Sequence, residues 1–277
     1  MNLRGKVKGI RDVSKEVGAL DYELLLMPPV ERPAAGRFEL LAVDVGQGTA
    51  VLVRTRTHLL VYDAGPQYSR DSDHVGGARA LLAGLPVGRV LSSLEAQHPL
   101  LALATSPQRC EAGQGWEWDG VRFEVLRPPA DAYAAGLKPN AMSCVLRVAA
   151  GDAAAPATAL LTGDIEREQE AALVAMQPAA LRADVLVVPH HGSKTSSTPP
   201  FLAAVQPKVA VFQAGYRNRF GHPAPEVVER YQALGIPWVA SPECGAWRWR
   251  SGEPLPGVCE RDAVRRYWHH GPESGPE

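Results

Sequence analysis

The chain has 277 residues, of which 45% are hydrophobic and 21% are charged, so a sizeable folded core is available. A formal net charge of −1 argues against wholesale binding of polyanions, although a local basic patch is compatible with it. No apolar run is long enough to span a bilayer and the N-terminus lacks the apolar core of a signal peptide, so we predict a soluble chain.

Residues 1–35 are irregular, so we interpret them as a lead-in or linker, and residues 269–277 as a disordered tail. Residues 36–268 are predicted to form a single α/β (α+β) domain, because strand-like apolar runs alternate with segments of helical periodicity. The predicted strands are residues 38–43, 50–53, 59–62, 87–91, 121–126, 143–148, 158–161, 185–188, 208–212 and 238–240. The predicted helices are residues 75–85, 165–176, 199–205 and 225–234.

The four cysteines are widely spaced and form no Cys-x-x-Cys pair. This spacing predicts neither a zinc knuckle nor a dense disulfide framework. Cys144 lies in an apolar run, so we expect it to be a buried free thiol.

Acids and histidines follow the ends of several predicted strands. Asp63 ends one strand, Asp164 follows another, His190 and His191 follow a third, and His222 stands between a strand and a helix. Because the carboxyl ends of strands in layered α/β folds share one edge, we expect these side chains to converge there. Neutral imidazoles beside carboxylates suit a divalent metal better than acid–base chemistry alone.

Each of these elements also has an ordinary structural interpretation. A single strand-terminal acid such as Asp63 commonly caps a turn, and the acids Asp71 and Asp73 before His74 could cap the helix that follows. Adjacent histidines after a buried strand have no obvious role in packing. Together, the elements favour a site over a set of unrelated caps.

Five stretches resemble the metallo-β-lactamase superfamily and, within it, the C-terminal hydrolase-like domain of ComEC-type DNA-internalisation competence proteins. They are VDVGQG from residue 43, DSDHVGG from 71, LLTGDIE from 160, VPHHGSKTS from 188 and YRNRFGHP from 216. The resemblance covers roughly residues 38–245 and implies a metallo-β-lactamase-like αββα sandwich with its site along one edge. It also implies a parent protein of the inner membrane, whose transmembrane channel region would be a partner.

The resemblance implies one or two divalent ions and no small-molecule organic cofactor. One ion would be held by Asp73, His74 and His191, with Asp164 bridging to a second ion near Asp71. His190 is a further candidate ligand, and we expect Asp73, Asp164 and His191 to be the catalytic residues. The oxygen-rich second position favours Mn²⁺, with Zn²⁺ and Mg²⁺ as alternatives.

One part of the chain departs from the family pattern. The first histidine of the His-x-Asp-x-Asp-His motif falls on Ser69, and the connector from Ala64 to Arg70 is shorter than in the family. The second metal position therefore has fewer ligands than in the family. A non-catalytic DNA-binding remnant of the enzyme is for this reason an alternative.

The function implied by the resemblance is a nuclease that uses metal-activated water to degrade the non-imported DNA strand during uptake. We expect three further residues to contact the metal ligands and not the metal itself: Asp63, Asn140 and Ser143. The candidates for contacting the phosphates of single-stranded DNA are Ser193, Lys194, Thr195, Arg217, Arg219 and His222. A metallohydrolase acting on a small ester or lactone remains an alternative, because this fold hosts many chemistries.

Overall fold

The computed structural model describes residues 31–63, 77–154 and 156–263. Its strands are β1 (Glu39–Ala42), β2 (Val51–Arg54), β3 (Leu59–Tyr62), β4 (Val90–Ser92), β5 (Pro107–Arg109), β6 (Gly115–Trp118), β7 (Val121–Arg127), β8 (Val145–Ala150), β9 (Thr158–Leu161), β10 (Val185–Val187), β11 (Val209–Phe212), β12 (Trp238–Ala240), β13 (Trp247–Arg250) and β14 (Val258–Cys259). Its helices are α1 (Ala78–Gly84), α2 (Arg167–Met176), α3 (Pro178–Leu181), α4 (Pro199–Val205), α5 (Pro225–Ala233), α6 (Ser241–Cys244) and α7 (Glu260–Ala263).

The strands form two large sheets that pack against each other. One is five-stranded and antiparallel, in the order β14-β13-β1-β2-β3, and the other is seven-stranded, in the order β12-β11-β10-β9-β8-β7-β6. A separate pair of strands, β4 and β5, runs parallel. The turn containing Gly46 and Gly48 joins β1 to β2.

Half of the seven-stranded sheet is parallel, because β9 to β12 are connected by helices that return the chain to the same edge. Strands in such a sheet are covered on both faces, which explains why β10 and β11 are continuous apolar runs with every residue buried. The helices α4 and α5 both begin with proline in the first turn, where its missing N–H costs nothing.

The alternation of side chains along the parallel strands divides the interior into two cores. Leu161 and Val187 point towards the five-stranded sheet and pack in a cluster that includes Trp247. Leu160 and Leu186 belong to the opposite cluster, which lies under the helices. The second cluster includes the fully buried rings of Phe201, Phe212 and Tyr231. The carboxyl edge of β9 to β11 is thus held rigidly from both faces.

Asp184, just before β10, ties together the starts of three neighbouring strands. Its carboxylate accepts hydrogen bonds from the backbone N–H of Thr158 at 2.7 Å and from that residue's hydroxyl at 3.0 Å. It also pairs with Lys208, whose Nζ lies 2.8 Å from Oδ1. Burial favours the protonated acid, but the hydrogen bonds from Lys208 and Thr158 outweigh it, so the pKa of Asp184 is lowered.

The prediction for Cys144 was wrong. Cys144 is paired with Cys110 in a disulfide, with a Cα–Cα distance of 6.1 Å, and Cys244 is paired with Cys259 at 4.7 Å. The sequence could not show either pair, because tertiary folding brings together positions that are 34 and 15 residues apart. No helix within the described ranges has the length and apolar character needed to cross a bilayer.

The boundaries of other elements moved for local reasons. The helix predicted from residue 165 begins at Arg167, because the side chains of Glu166 and Gln169 form a capping box with the opposite backbone groups. The strands β5, β6, β13 and β14 were not predicted. Residues 1–30, 64–76, 155 and 264–277 lie outside the described residues, so the predicted lead-in, connector and tail stay predictions.

Candidate functional site

The carboxyl ends of three parallel strands bring the predicted site residues to one edge of the seven-stranded sheet. Asp164 follows β9, His190 and His191 follow β10, and Gln213 follows β11. The backbone N–H of His190 donates to the carbonyl of Gly163 at 3.0 Å, which fixes the first two loops to each other. The convergence expected from the strand ends is therefore present.

His191 is held in a single orientation. Its backbone lies in the left-handed region, with φ of 56°, and only 6% of the residue is exposed. Its Nδ1 lies 2.8 Å from the backbone oxygen of Gln213. A carbonyl only accepts, so Nδ1 carries the proton and donates it. The opposite nitrogen, Nε2, faces Asp164, with 3.5 Å between Nε2 and Oδ1.

His190 faces a different partner. Its backbone is also left-handed, with φ of 50°, so successive side chains leave the loop in different directions. Its Nδ1 lies 3.1 Å from Oε1 of Glu166, and the side-chain amide of Asn140 donates to the same oxygen at 3.4 Å. Two consecutive left-handed non-glycine residues store conformational strain of about 1–3 kcal/mol each. Such strain is typical of functional sites.

Ser143 and Tyr62 pack against Gly163, the residue before Asp164. The hydroxyl of Ser143 accepts a hydrogen bond from the backbone N–H of Asp164 at 3.0 Å. The Tyr62 hydroxyl donates to the carbonyl of Cys144 at 2.6 Å. Burial raises the pKa of Tyr62 well above its ordinary value, and the nearby charges of Asp63 and Asp164 add to the shift. Tyr62 thus stays a neutral donor at the floor of the site.

His222 completes a group of three histidine rings. Its ring centroid lies 5.8 Å from that of His190 and 6.4 Å from that of His191. Its Nδ1 is buried, and the described residues offer it no hydrogen-bond partner. Burial lowers the pKa of His222, the neighbouring His190 and His191 lower it further, and Asp164 opposes them. The ring is a neutral, half-buried polar group at the mouth of the site.

The polar loop after His191 is largely occupied by its own contacts. The hydroxyls of Ser193 and Thr195 lie 3.1 Å apart, and the backbone N–H of Ser193 donates to the carbonyl of His190 at 2.8 Å. Lys194 is exposed, and its Nζ lies 3.3 Å from Oε2 of Glu226. The structure places these residues next to the histidines, and contact with a phosphate stays a prediction.

The remaining predicted residues fall in two groups. Arg217 and Arg219 are exposed on the loop between β11 and α5, and Asp63 ends β3 with a left-handed backbone at φ of 59°. Asp71, Asp73 and His74 lie outside the described residues. Within the ranges that the structure describes, no three histidine, cysteine, aspartate or glutamate side chains form a group that would hold a metal ion.

Two residues that shape the site were not among the predicted site residues. Glu166 orients His190, although its position directly after the Gly-Asp-Ile stretch was already visible. Gln213 accepts from His191 through its backbone, while its side-chain amide donates to the carbonyls of Val43 and Ala50 at 2.9 and 3.0 Å. A contact through a backbone atom leaves no residue-type signal in a sequence.

No protein-family model matches the chain. It is 34% identical over 253 residues to "Competence protein ComA" of Neisseria gonorrhoeae, which covers 83% of this chain and 34% of that protein. It is 31% identical over 189 residues to "ComE operon protein 3" of Bacillus subtilis, covering 65% of this chain and 23% of that protein. The chain is a homologue of these competence proteins.

Another homologue is "Recombination protein 2" of Haemophilus influenzae, 29% identical over 238 residues, which covers 76% of this chain and 28% of that protein. The chain therefore spans between 23 and 34% of the length of these curated relatives. The recognition of the competence-protein family from the five sequence stretches is confirmed.

Two solved structures share the fold at low sequence identity. Igni18, described as a metallo hydrolase from the archaeon Ignicoccus hospitalis, is 12% identical with a TM-score of 0.50 over 78% of this chain and 100% of that chain. The E377D mutant of CmlA beta-hydroxylase is 10% identical with a TM-score of 0.51 over 77% of this chain and 54% of that chain. The predicted metallo-β-lactamase-like sandwich is confirmed as the fold class.

Proposed function

We propose that the chain is a divalent-metal-dependent phosphodiesterase that cleaves single-stranded DNA. The proposal rests on one observation above the others, which is the pairing of His191 with Asp164. Homology to proteins named for competence favours DNA as the substrate, and the shared fold is one that also occurs in a metallo hydrolase.

The orientation of His191 explains why this pair fits a cation. Nδ1 donates to the Gln213 carbonyl, so Nε2 is the ring nitrogen that faces the carboxylate of Asp164, 3.5 Å away, and in a neutral imidazole this nitrogen is an electron-pair donor. Two electron-pair donors that face each other repel unless a positive charge lies between them. Imidazole held by a backbone carbonyl and aimed beside a carboxylate is the usual arrangement of a metal-binding histidine.

The chain's own residues then have separable tasks. Asp164 and His191 would hold the ion, with Asp71, Asp73, His74 and His190 as the remaining candidate ligands. Mn²⁺ is favoured over Zn²⁺ and Mg²⁺. A divalent ion supplies a lowered pKa for attacking water and stabilises charge on phosphoryl oxygens. Ser143 keeps the loop of Asp164 in place through its hydrogen bond to the backbone N–H.

The substrate would approach over the histidine-rich face. His222 and the exposed arginines Arg217 and Arg219 lie on the same loop, beside the buried ligands. Positive charge next to a metal site favours a polyanion, since contacts to phosphate carry much of nucleic-acid affinity. We infer from the homology that the chain acts in DNA uptake, next to a transmembrane channel region of its parent protein.

The test compares the full chain with Asp164→Ala and with Asp184→Asn as a matched control. Both variants remove a buried or half-buried carboxylate, but Asp184 lies at the opposite ends of the strands from the site. Bound metal is measured by elemental analysis, and cleavage of a labelled single-stranded oligonucleotide is followed with added Mn²⁺. We expect Asp164→Ala to lose both metal and cleavage, and Asp184→Asn to retain both at a temperature where it is folded.

Three results would contradict the proposal. Undiminished cleavage by Asp164→Ala would place the chemistry elsewhere or in a contaminant. Bound metal with hydrolysis of a small ester but no cleavage of DNA would support the ester or lactone alternative. If the full chain showed neither bound metal nor hydrolysis, that result would support a non-catalytic DNA-binding module.

A further inference from the structure

The loop between β11 and α5 carries two exposed aromatic rings beside the site. Tyr216 is 53% exposed and Phe220 is 52% exposed, although most large apolar side chains of the described residues are buried. Residues 213–224 include two arginines and no acid. Exposed apolar groups that are grouped together and bordered by polar residues often mark an interaction site.

The exposure of Phe220 is a fixed property of the loop. Asn218 accepts hydrogen bonds from the backbone N–H groups of Phe220 and His222, at 3.1 and 3.0 Å. Its side-chain amide donates to the carbonyls of Gly215 and His222, at 2.9 and 2.5 Å. These four bonds close the loop on itself, so Phe220 is presented to solvent by a defined turn.

The Phe220 ring forms the outer end of a row of rings that leads into the site. It stacks on His222 with 5.9 Å between centroids and 15° between planes, and His222 in turn lies beside His190 and His191. The guanidinium of Arg219 lies 4.8 Å from the centroid of Phe220. A flat ligand placed on this surface would therefore lie immediately outside the histidine group.

We propose that Phe220, with Arg219, is a base-stacking platform that selects unpaired nucleotides of single-stranded DNA at the entrance to the site. This inference rests on the proposed function and adds the residue that determines the preference for single-stranded over double-stranded DNA. Aromatic rings stack on any base because every base has a π face, and arginine supplies attraction to both ring and phosphate. In a duplex the faces of the bases are already stacked, so the platform would have nothing to bind.

Abasic DNA separates stacking from phosphate binding, because it keeps the backbone charge and lacks the bases. The affinity of the full chain for a single-stranded oligonucleotide and for its abasic counterpart is measured by fluorescence anisotropy at fixed salt, without added metal. We expect the ordinary oligonucleotide to bind more tightly by roughly 5- to 150-fold, the range for stacking of one base. In Phe220→Ala the ratio of the affinities for the ordinary and the abasic oligonucleotide should fall to about 1, and in Phe220→Trp this ratio should be preserved.

Leu234→Ala is the matched control, since Leu234 is 53% exposed and lies at the far end of α5. It should leave the ratio unchanged. The inference is overturned if Phe220→Ala keeps the ratio, if it weakens binding to both oligonucleotides equally, or if the full chain binds neither of them.

Cleavage in Mn²⁺ is measured separately on the same oligonucleotide. If the chain prefers the ordinary oligonucleotide through Phe220 but does not cleave DNA, the proposed function is contradicted and this inference is supported. If the chain cleaves DNA and Phe220→Ala keeps the preference, the proposed function is supported and this inference is overturned.

Discussion

The close contact at Gly192 provides the sharpest test of how the site is built. Gly192 follows His191 with φ of +80°, and its carbonyl accepts from the backbone N–H of Ala224 at 2.9 Å. A Cβ added there would lie 2.7 Å from Cε1 of Phe212 and 2.9 Å from Cβ of Pro223. Gly192→Ala would therefore push directly on the residue after His222 and on a buried ring of the core.

The size of the effect follows from two contributions. A non-glycine residue in the left-handed region costs about 1–2 kcal/mol. Overpacking against the Phe212 ring and Pro223 adds about 1–3 kcal/mol, because Phe212 is fully buried and one of these groups must shift. We expect Gly192→Ala to lower the free energy of unfolding by about 2–5 kcal/mol.

Gly221→Ala separates the two contributions. Gly221 has a similar φ of +66°, and no described atom lies within 4 Å of the position of its added Cβ. This variant should show the conformational cost alone, about 1–2 kcal/mol. Urea unfolding of both variants measures the difference, provided that the denaturant dependence is unchanged. Equal losses in the two alanine variants would refute the close packing inferred around Gly192.

Three further expectations concern the support of the site and the fold. Ser143→Ala removes the acceptor for the backbone N–H of Asp164, so calorimetric titration with Mn²⁺ should show affinity reduced by about 10- to 100-fold, and unchanged affinity would contradict this role. Because the pKa of Asp184 is lowered in the folded chain, its ionised form stabilises the fold above the ordinary carboxyl pKa of about 4, and this is lost as the pH falls. Asp184→Asn should therefore be less stable than the parent chain at neutral pH in urea unfolding, with a difference that shrinks below about pH 4, and a constant difference would count against it. Replacing Cys244 and Cys259 together with serine opens a link across 15 residues and should cost about 3 kcal/mol in thermal unfolding without reductant, and an unchanged stability would contradict this role.

The sequence predicted the alternation of strands with helices and the convergence of several strand ends at one edge. Runs such as those of β10 and β11 are apolar throughout, and the residues after them are histidines or polar groups beside glycine. This pattern reflects burial on both faces followed by a turn. Because it depends only on residues that are adjacent in the chain, it can be recognised in the sequence. The positions of Asp164 and His191 follow from it.

The tasks of neighbouring residues were not visible in the same way. His190 and His191 are chemically identical, and the tertiary structure places one beside Glu166 and the other beside Asp164. The carbonyl of Gln213 that orients His191 belongs to a backbone, which every residue has. The disulfide of Cys144 likewise depends on a tertiary contact.

The pairing of β1 with β13 also determines when the chain can fold. Residues Glu39–Ala42 take their place between β2 and Trp247–Arg250, so a partner from the far end of the sequence closes the sheet. Contacts across such a separation are slow to form, because a long loop must be ordered first. During synthesis, one edge of β1 stays unpaired until that partner strand emerges, and an open strand edge readily pairs with other chains. Any shortened form that ends before Trp247 keeps this edge open permanently and should aggregate.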